Sequence, residues 1–220
     1  MSTTRLRDTG LVLLVAAAAM LGGCAISDDG PPVTQQRDVG DFSVVDVSGA
    51  ATLDVLVGPA ATLSLTGSQK TLDAVEARVV NGTLVVKRRG MTFWTSGSGP
   101  LQIRLTAPQL KSLGVNGAGK VSVNGLAGGE LALQINGAGE LEATGTLDSL
   151  SVSMNGAGNM DLSRLVTNAA TVTVNGAGNL EVNATGSLVA TVNGVGNVRY
   201  LGKPAQVHPT INGVGSISPR

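Results

Sequence analysis

From residue 111 to the end of the chain, apolar and polar residues alternate, and the alternation restarts on a longer beat. "GVNGAGKVSV" begins the series. Asn-Gly-Ala-Gly starts at Asn116, Asn136, Asn155 and Asn175, and Asn-Gly-Val-Gly at Asn193 and Asn212, at intervals of 20, 19, 20, 18 and 19 residues. Three and one positions before each Asn stand Leu113 and Val115, Leu133 and Ile135, Val152 and Met154, Val172 and Val174, Ala190 and Val192, Pro209 and Ile211. Five and seven positions after it stand Val121 and Val123, Leu141 and Ala143, Met160 and Leu162, Leu180 and Val182, Val198 and Tyr200, Ile217 and Pro219. Strict alternation places these columns on one face of a strand and the polar residues between them on the other. A fixed period near 20 residues marks a stacked-repeat architecture. Each repeat reads as strand, four-residue bend, strand and looser return, and stacking closes a core that no single repeat could bury. The predicted fold is all-β: a right-handed parallel β-helix with about six regular rungs of about 19 residues, preceded by a less regular β layer.

The bends then read as scaffolding. Two glycines per bend supply positive φ or let one backbone approach another closely. Asparagine tolerates left-handed geometry and bonds to nearby backbone groups. Stacked rungs would also set Asn above Asn at about 4.8 Å, the spacing of amide ladders in cross-β stacks. The expected ladder comprises Asn116, Gly117, Asn136, Gly137, Asn155, Gly156, Asn175, Gly176, Asn193, Gly194, Asn212 and Gly213. Pro204, Pro209 and Pro219 crowd the final turn and mark it as a cap, with Tyr200 as a lid over the core.

Residues 38–110 alternate without sharing the period. "SQKTLDAVEA" holds a short helix with Ser68 as N-cap, and "ARVVNGTLVVKRR" is a hairpin turning at Asn81-Gly82. The chain start has a different character. Arg5 and Arg7 precede an apolar run from Leu11 to Leu21, too short for a spanning helix, which needs about 20 residues. The run ends in Leu21-Gly22-Gly23-Cys24, and Cys24 is the sole cysteine. "LGGC" resembles a bacterial lipobox, which implies cleavage after residue 23 and acylation of Cys24. Residues 1–23 are therefore read as a lipoprotein signal peptide, 24–37 as a flexible Pro/Gly-rich tether, and 38–220 as the folded domain. Ala25 after the cysteine points to the outer membrane of a diderm bacterium. The expected partner at this end is a membrane, held through acyl chains.

Composition narrows the chemistry. Net charge is zero and no basic cluster is long enough for a nucleic-acid footprint, so no nucleic-acid partner is expected. One histidine, His208, argues against a His-based metal site or a Ser-His-Asp triad. "GVNGAGKV" (114–121) approaches a P-loop, but Val121 stands where a Mg²⁺-binding Ser or Thr is required, so no nucleotide is expected. The calcium nonapeptide fails because apolar residues occupy its Asp position. No cofactor, metal or catalytic residue is assigned. One acidic column survives: Glu142, Asp161 and Glu181 on successive rungs, followed by Arg199. It reads as a solvated face, with a weak cation site or the acid pair of a β-helix hydrolase as sharper readings. "KRRGMTFWTSGSG" (87–99) is a candidate contact loop, with Arg88, Arg89, Phe93 and Trp94 in a Gly/Ser-rich turn.

The "FSVVDVSG" opening, the "NGTLVV" hairpin, the "LTAPQLKSL" segment and the repeated "GAGN" bends resemble the putative auto-transporter adhesin family with a head GIN domain. The resemblance covers roughly residues 38–220 and implies an exported β-helix of the bacterial envelope. Family bends more often read Gly-Ser-Gly-Asp or Gly-Ser-Gly-Asn. Here Ala or Val replaces Ser and the Asp is missing, so no role of that Asp carries over. The expected function is a non-enzymatic, lipid-anchored envelope protein, with a cell-surface glycan or an envelope protein as candidate partner. A polysaccharide-active enzyme using Glu142, Asp161 or Glu181 is the alternative, and a structural or regulatory lipoprotein a further one.

Overall fold

The structure, a computed structural model, describes residues 30–89 and 100–220. Cys24, Phe93 and Trp94 lie outside the described residues. In chain order the elements are β1 (Val33–Arg37), β2 (Val44–Ser48), β3 (Ala51–Val57), β4 (Thr62–Gly67), α1 (Gln69–Asp73), β5 (Val75–Val80), β6 (Thr83–Arg88), β7 (Gln102–Ala107), β8 (Ser112–Ala127), β9 (Glu130–Val192), β10 (Val195–Leu201), β11 (Gln206–Ile211) and β12 (Val214–Pro219). The fold is all-β, one 12-stranded sheet that curls nearly to closure, like a barrel.

Strand β9 shows how the curling works. Its 63 residues would span roughly 200 Å if straight. Instead the side chain of Asn155 bonds to Asn136 and that of Asn175 to Asn155, so the chain returns to the same edge every 19 or 20 residues. Strand β8 pairs with β9 in parallel, Asn116 opposite Asn136 and Val121 opposite Leu141. Strand β10 pairs in parallel with β9, Val195 opposite Ala177, and with β12, Val195 opposite Val214. Strand β11 lies parallel on β9 with Gln206 opposite Ser187.

The alternating columns form the core. Leu113, Val115, Leu133, Ile135, Val152, Met154, Val172, Val174, Ala190 and Val192 are buried, as are Val121, Val123, Leu141, Ala143, Met160, Leu162, Leu180, Val182 and Val198. Each large aliphatic side chain buried this way contributes about 1.5–3 kcal/mol. The pattern ends at the final turn. Ile211 is 44% exposed, and Pro209 and Pro219 are exposed too, because among the described residues no further coil stacks on β11 and β12.

Two local expectations meet their geometry. Ser68 caps α1, its hydroxyl accepting from the Thr71 amide at 3.2 Å. Strands β5 and β6 form a hairpin whose two turn residues, Asn81 and Gly82, both have positive φ, the requirement of a tight primed turn. Two others need correction. Residues 33–37, read as tether, form β1, which pairs antiparallel with β4, Gln36 opposite Ser64. The open edge of β4 gives their amides partners that a free tether would lack.

The second correction concerns residues 44–57, read as outside the repeat. They are a rung in register with it. Strand β2 pairs with the first half of β8, Ser48 opposite Asn116, and β3 with the second half, Ala51 opposite Gly119. Ser48-Gly49-Ala50-Ala51 therefore stacks on Asn116-Gly117-Ala118-Gly119. On the far side β2 pairs with β6 and β3 with β7, both in parallel, and β4 then joins β7 antiparallel.

Candidate functional site

The stacked bends make one continuous edge of the molecule. Asn116 Nδ2 donates to Asp46 Oδ1 at 3.0 Å. From there each asparagine donates to the one before it: Asn136 to Asn116 at 2.7 Å, Asn155 to Asn136 at 2.8 Å, Asn175 to Asn155 at 2.7 Å. Asn193 donates to Asn175 at 2.8 Å and Asn212 to Asn193 at 2.9 Å. Chained amides polarise one another, so an interior member contributes more than an end member. A second row runs four residues further along each bend. Asn179 donates to Asn159 at 3.2 Å, Asn197 to Asn179 at 3.1 Å, and Ser216 to Asn197 at 2.8 Å. Sequence reasoning missed this row, although "GAGN" spells it twice, because Lys120 and Glu140 occupy the same position on the first two rungs.

The bend asparagines are not left-handed. Among the described residues the non-glycine positive-φ positions are Asn81 and Lys203. The glycines answer both demands: Gly117, Gly137, Gly156 and Gly176 have φ of +158°, +146°, +151° and +156°, and their spacing is as restrictive. A Cβ on Gly156 would overlap the carbonyl oxygen of Gly137, and a Cβ on Gly176 that of Gly156. The same overlap recurs at Gly117, Gly137, Gly194 and Gly213, each against the glycine one rung earlier. The edge is thus backbone packed on backbone, flanked by two amide rows, with the small residues Ala118, Ala138, Ala157 and Ala177 between them.

The ladder yields a graded expectation. Asn155→Ala removes two ladder bonds and leaves Asn136 Oδ1 and Asn175 Nδ2 without their partners. At about 0.5–1.5 kcal/mol per bond, the loss is about 1–3 kcal/mol, or roughly 3–10 °C in Tm. Asn212→Ala removes one bond and should cost about half as much. Thermal melts followed by circular dichroism read the difference. Equal losses at both positions would mean that the ladder has no cooperative interior.

Two of the three acidic-column residues are ion-paired and the third, Asp161, is hydrogen-bonded. Glu142 pairs with Lys120 at 3.1 Å and Arg164 at 3.4 Å, and Glu181 with Arg220 at 2.9 Å and Arg199 at 3.7 Å. Hydrogen bonding to Glu142, helped by its charge, raises the Lys120 ammonium above its ordinary value. Asp161 accepts from the Ser163 hydroxyl at 2.6 Å and its amide at 3.0 Å. Those bonds hold its carboxyl below the ordinary range. The stability they contribute is present above the unfolded carboxylate pKa and fades as pH falls through the lowered one. A general acid needs the opposite shift. No group of three His, Cys, Asp or Glu able to hold a metal exists among the described residues.

In the candidate contact loop, Arg88 and Arg89 are already engaged. Arg89 lies 3.8 Å from Glu76, and its amide donates to Ala74 O at 2.8 Å. Arg88 ends β6 opposite Val75.

Stacked parallel strands and a bend edge of backbone on backbone define an all-β scaffold, and comparison with known proteins gives it a family. Residues 41–204, more than half of the chain, match the family described as "Putative auto-transporter adhesin, head GIN domain", and the chain belongs to it. No curated protein matches the chain. Among solved structures it is similar to a putative adhesin from Bacteroides fragilis NCTC 9343, with 20% identity and a TM-score of 0.69, covering 89% of this chain and 100% of that one. It is also similar to a putative lipid binding protein from Parabacteroides distasonis ATCC 8503, at 22% identity and TM-score 0.47, covering 87% of this chain and 98% of that one. The first likeness establishes a shared fold.

Proposed function

We propose that the protein is a non-enzymatic, lipid-anchored adhesin of the bacterial envelope, a right-handed β-helix that holds a rigid surface toward a glycan or protein partner. The observation that carries this reading is family membership over residues 41–204. Repeated parallel register at 18–20 residues supports the β-helix. Salt bridges to Glu142 and Glu181, and the lowered carboxyl of Asp161, favour binding over hydrolysis. Cys24, following a charged and then apolar leader, is the proposed acylation site, with the outer membrane as destination.

Two measurements test the proposal. Wild-type chain expressed in a diderm bacterium should incorporate an alkynyl fatty acid, and Cys24→Ser should remain an unlabelled precursor. Equal labelling of both ends the anchoring claim. For function, the purified chain is applied to a glycan array and to envelope-fraction blots. Saturable binding to one class supports adhesion, and failure on both surfaces overturns it.

A further inference from the structure

The outer face where β1, β4, β7, β3 and β8 meet carries an open cavity of about 370 Å³. Two other cavities hold about 10 Å³ each, room for no more than a water molecule. The larger one is in the range of small-ligand pockets. Two rows of side chains cross it. By strand register, Gln36 faces Ser64, Ser64 faces Arg104, and Arg104 faces Asp54. Beside that row Thr62 faces Thr106, Thr106 faces Leu56, and Leu56 faces Asn124. All eight residues line the cavity.

Asn124 is engaged, donating to Ser122 at 3.3 Å and accepting from Thr144 at 2.9 Å, but part of the cup's hydrogen-bond inventory is uncommitted. The side chains of Gln36, Thr62, Ser64 and Thr106 have no hydrogen-bond partner among the described residues. The Asp54 carboxylate is held by long contacts: Gln102 at 3.2 Å, Ser122 at 3.3 Å and Arg104 at 3.5 Å. Bonds of this length retain capacity for a ligand hydroxyl. One carboxylate and one guanidinium cancel, so the cup has no field that would draw a charged ligand. Hydroxyls and amides offer donors and acceptors together, which matches groups that both donate and accept. In their midst Leu56 is 49% exposed and gives an apolar contact.

We infer that this cup is a saccharide subsite for one neutral, hydroxyl-rich ring, its hydroxyls bonded by Asp54, Arg104, Thr106 and Gln36 and its C–H face resting on Leu56. The inference rests on the adhesive reading above and names the ligand class. Uronic acids and phosphorylated sugars are excluded by the balanced charge.

The test is saturation-transfer NMR on the full chain in a detergent without a sugar headgroup. Probes are the methyl glycosides of glucose, galactose, mannose and N-acetylglucosamine, with glucuronic acid as the charged comparison. The variants are Gln36→Ala and Leu56→Glu, which alter exposed side chains, and Thr106→Ala, which removes a hydroxyl without a partner among the described residues. At least one neutral glycoside should bind more tightly than the uronate. Gln36→Ala and Thr106→Ala should each weaken it about fivefold, and Leu56→Glu should abolish it. No binding by any neutral glycoside, preference for the uronate, or binding indifferent to all three variants would overturn the subsite. The same variants on the glycan array separate the two claims. Array binding that survives them keeps the adhesin and removes the cup. Glycoside binding without array or envelope binding keeps the cup and removes the adhesin.

Discussion

Gly158→Ala is expected to lower the melting midpoint by roughly 2–12 °C, although a single methyl group is added to a surface edge. Gly158 is not among the positive-φ glycines, so its conformation alone would admit alanine. Space would not. A Cβ there would overlap the carbonyl oxygen of Gly139, which is backbone and cannot swing aside. Separating the rungs would stretch the inter-rung hydrogen bonds and both amide rows at once. Overpacking of this kind costs about 1–3 kcal/mol or somewhat more, and a domain of this size loses roughly 2–4 °C per kcal/mol. Gly49→Ala is the matched control. Gly49 has φ of +120°, yet nothing lies within 4 Å of where its Cβ would stand. It therefore reports conformational strain alone, on the order of 1–3 kcal/mol. Thermal melts of both variants decide the matter. If Gly49→Ala is the more damaging, left-handed geometry and not rung spacing governs the bends.

The same contrast shows where the sequence was informative. Apolar columns and the asparagine ladder could be read because each occupies a fixed place in a repeat of about 19 residues, and the stack turns sequence period directly into spatial neighbours. Glycine's role could not be separated that way, since tolerance of positive φ and tolerance of close packing call for the same residue. The rung at residues 44–57 escaped because Ser48-Gly49-Ala50-Ala51 lacks the Asn and the second Gly, and because a hairpin, a helix and two further strands separate it from its neighbour β8. The saccharide cup left no local trace. Gln36, Asp54, Ser64, Arg104 and Asn124 come from five strands, and only the antiparallel addition of β1 and β4 to a parallel stack brings them to one face.

Removing residues 198–220 is expected to yield soluble oligomers or aggregate. Leu180, Val182, Leu188, Ala190 and Val192 are all 0% exposed in the intact chain, and β10, β11 and β12 form the coils beyond them. Their loss would also bare a row of unpaired amides and carbonyls on β9, the template for edge-to-edge association. The intact end is protected by its prolines. The amides of Asn212, Val214 and Arg220 donate to Val192, Gly194 and Tyr200, so alternate residues of β11 and β12 direct their N–H groups inward. By that alternation positions 209 and 219 face the open side, and both are proline, which has no N–H to offer. The apolar surface still exposed there, Ile211 and Val214, thus borders an edge with gaps in its donor row. The double variant Pro209→Val/Pro219→Thr restores those donors while leaving every described contact of the core in place. It should associate at concentrations where wild type remains monomeric, and less extensively than the truncated chain. Light scattering coupled to gel filtration ranks the three proteins. A monodisperse, monomeric truncation with unchanged β content would show that the last coil is not needed as a cap. A double variant as monomeric as wild type would show that the prolines do not guard the edge.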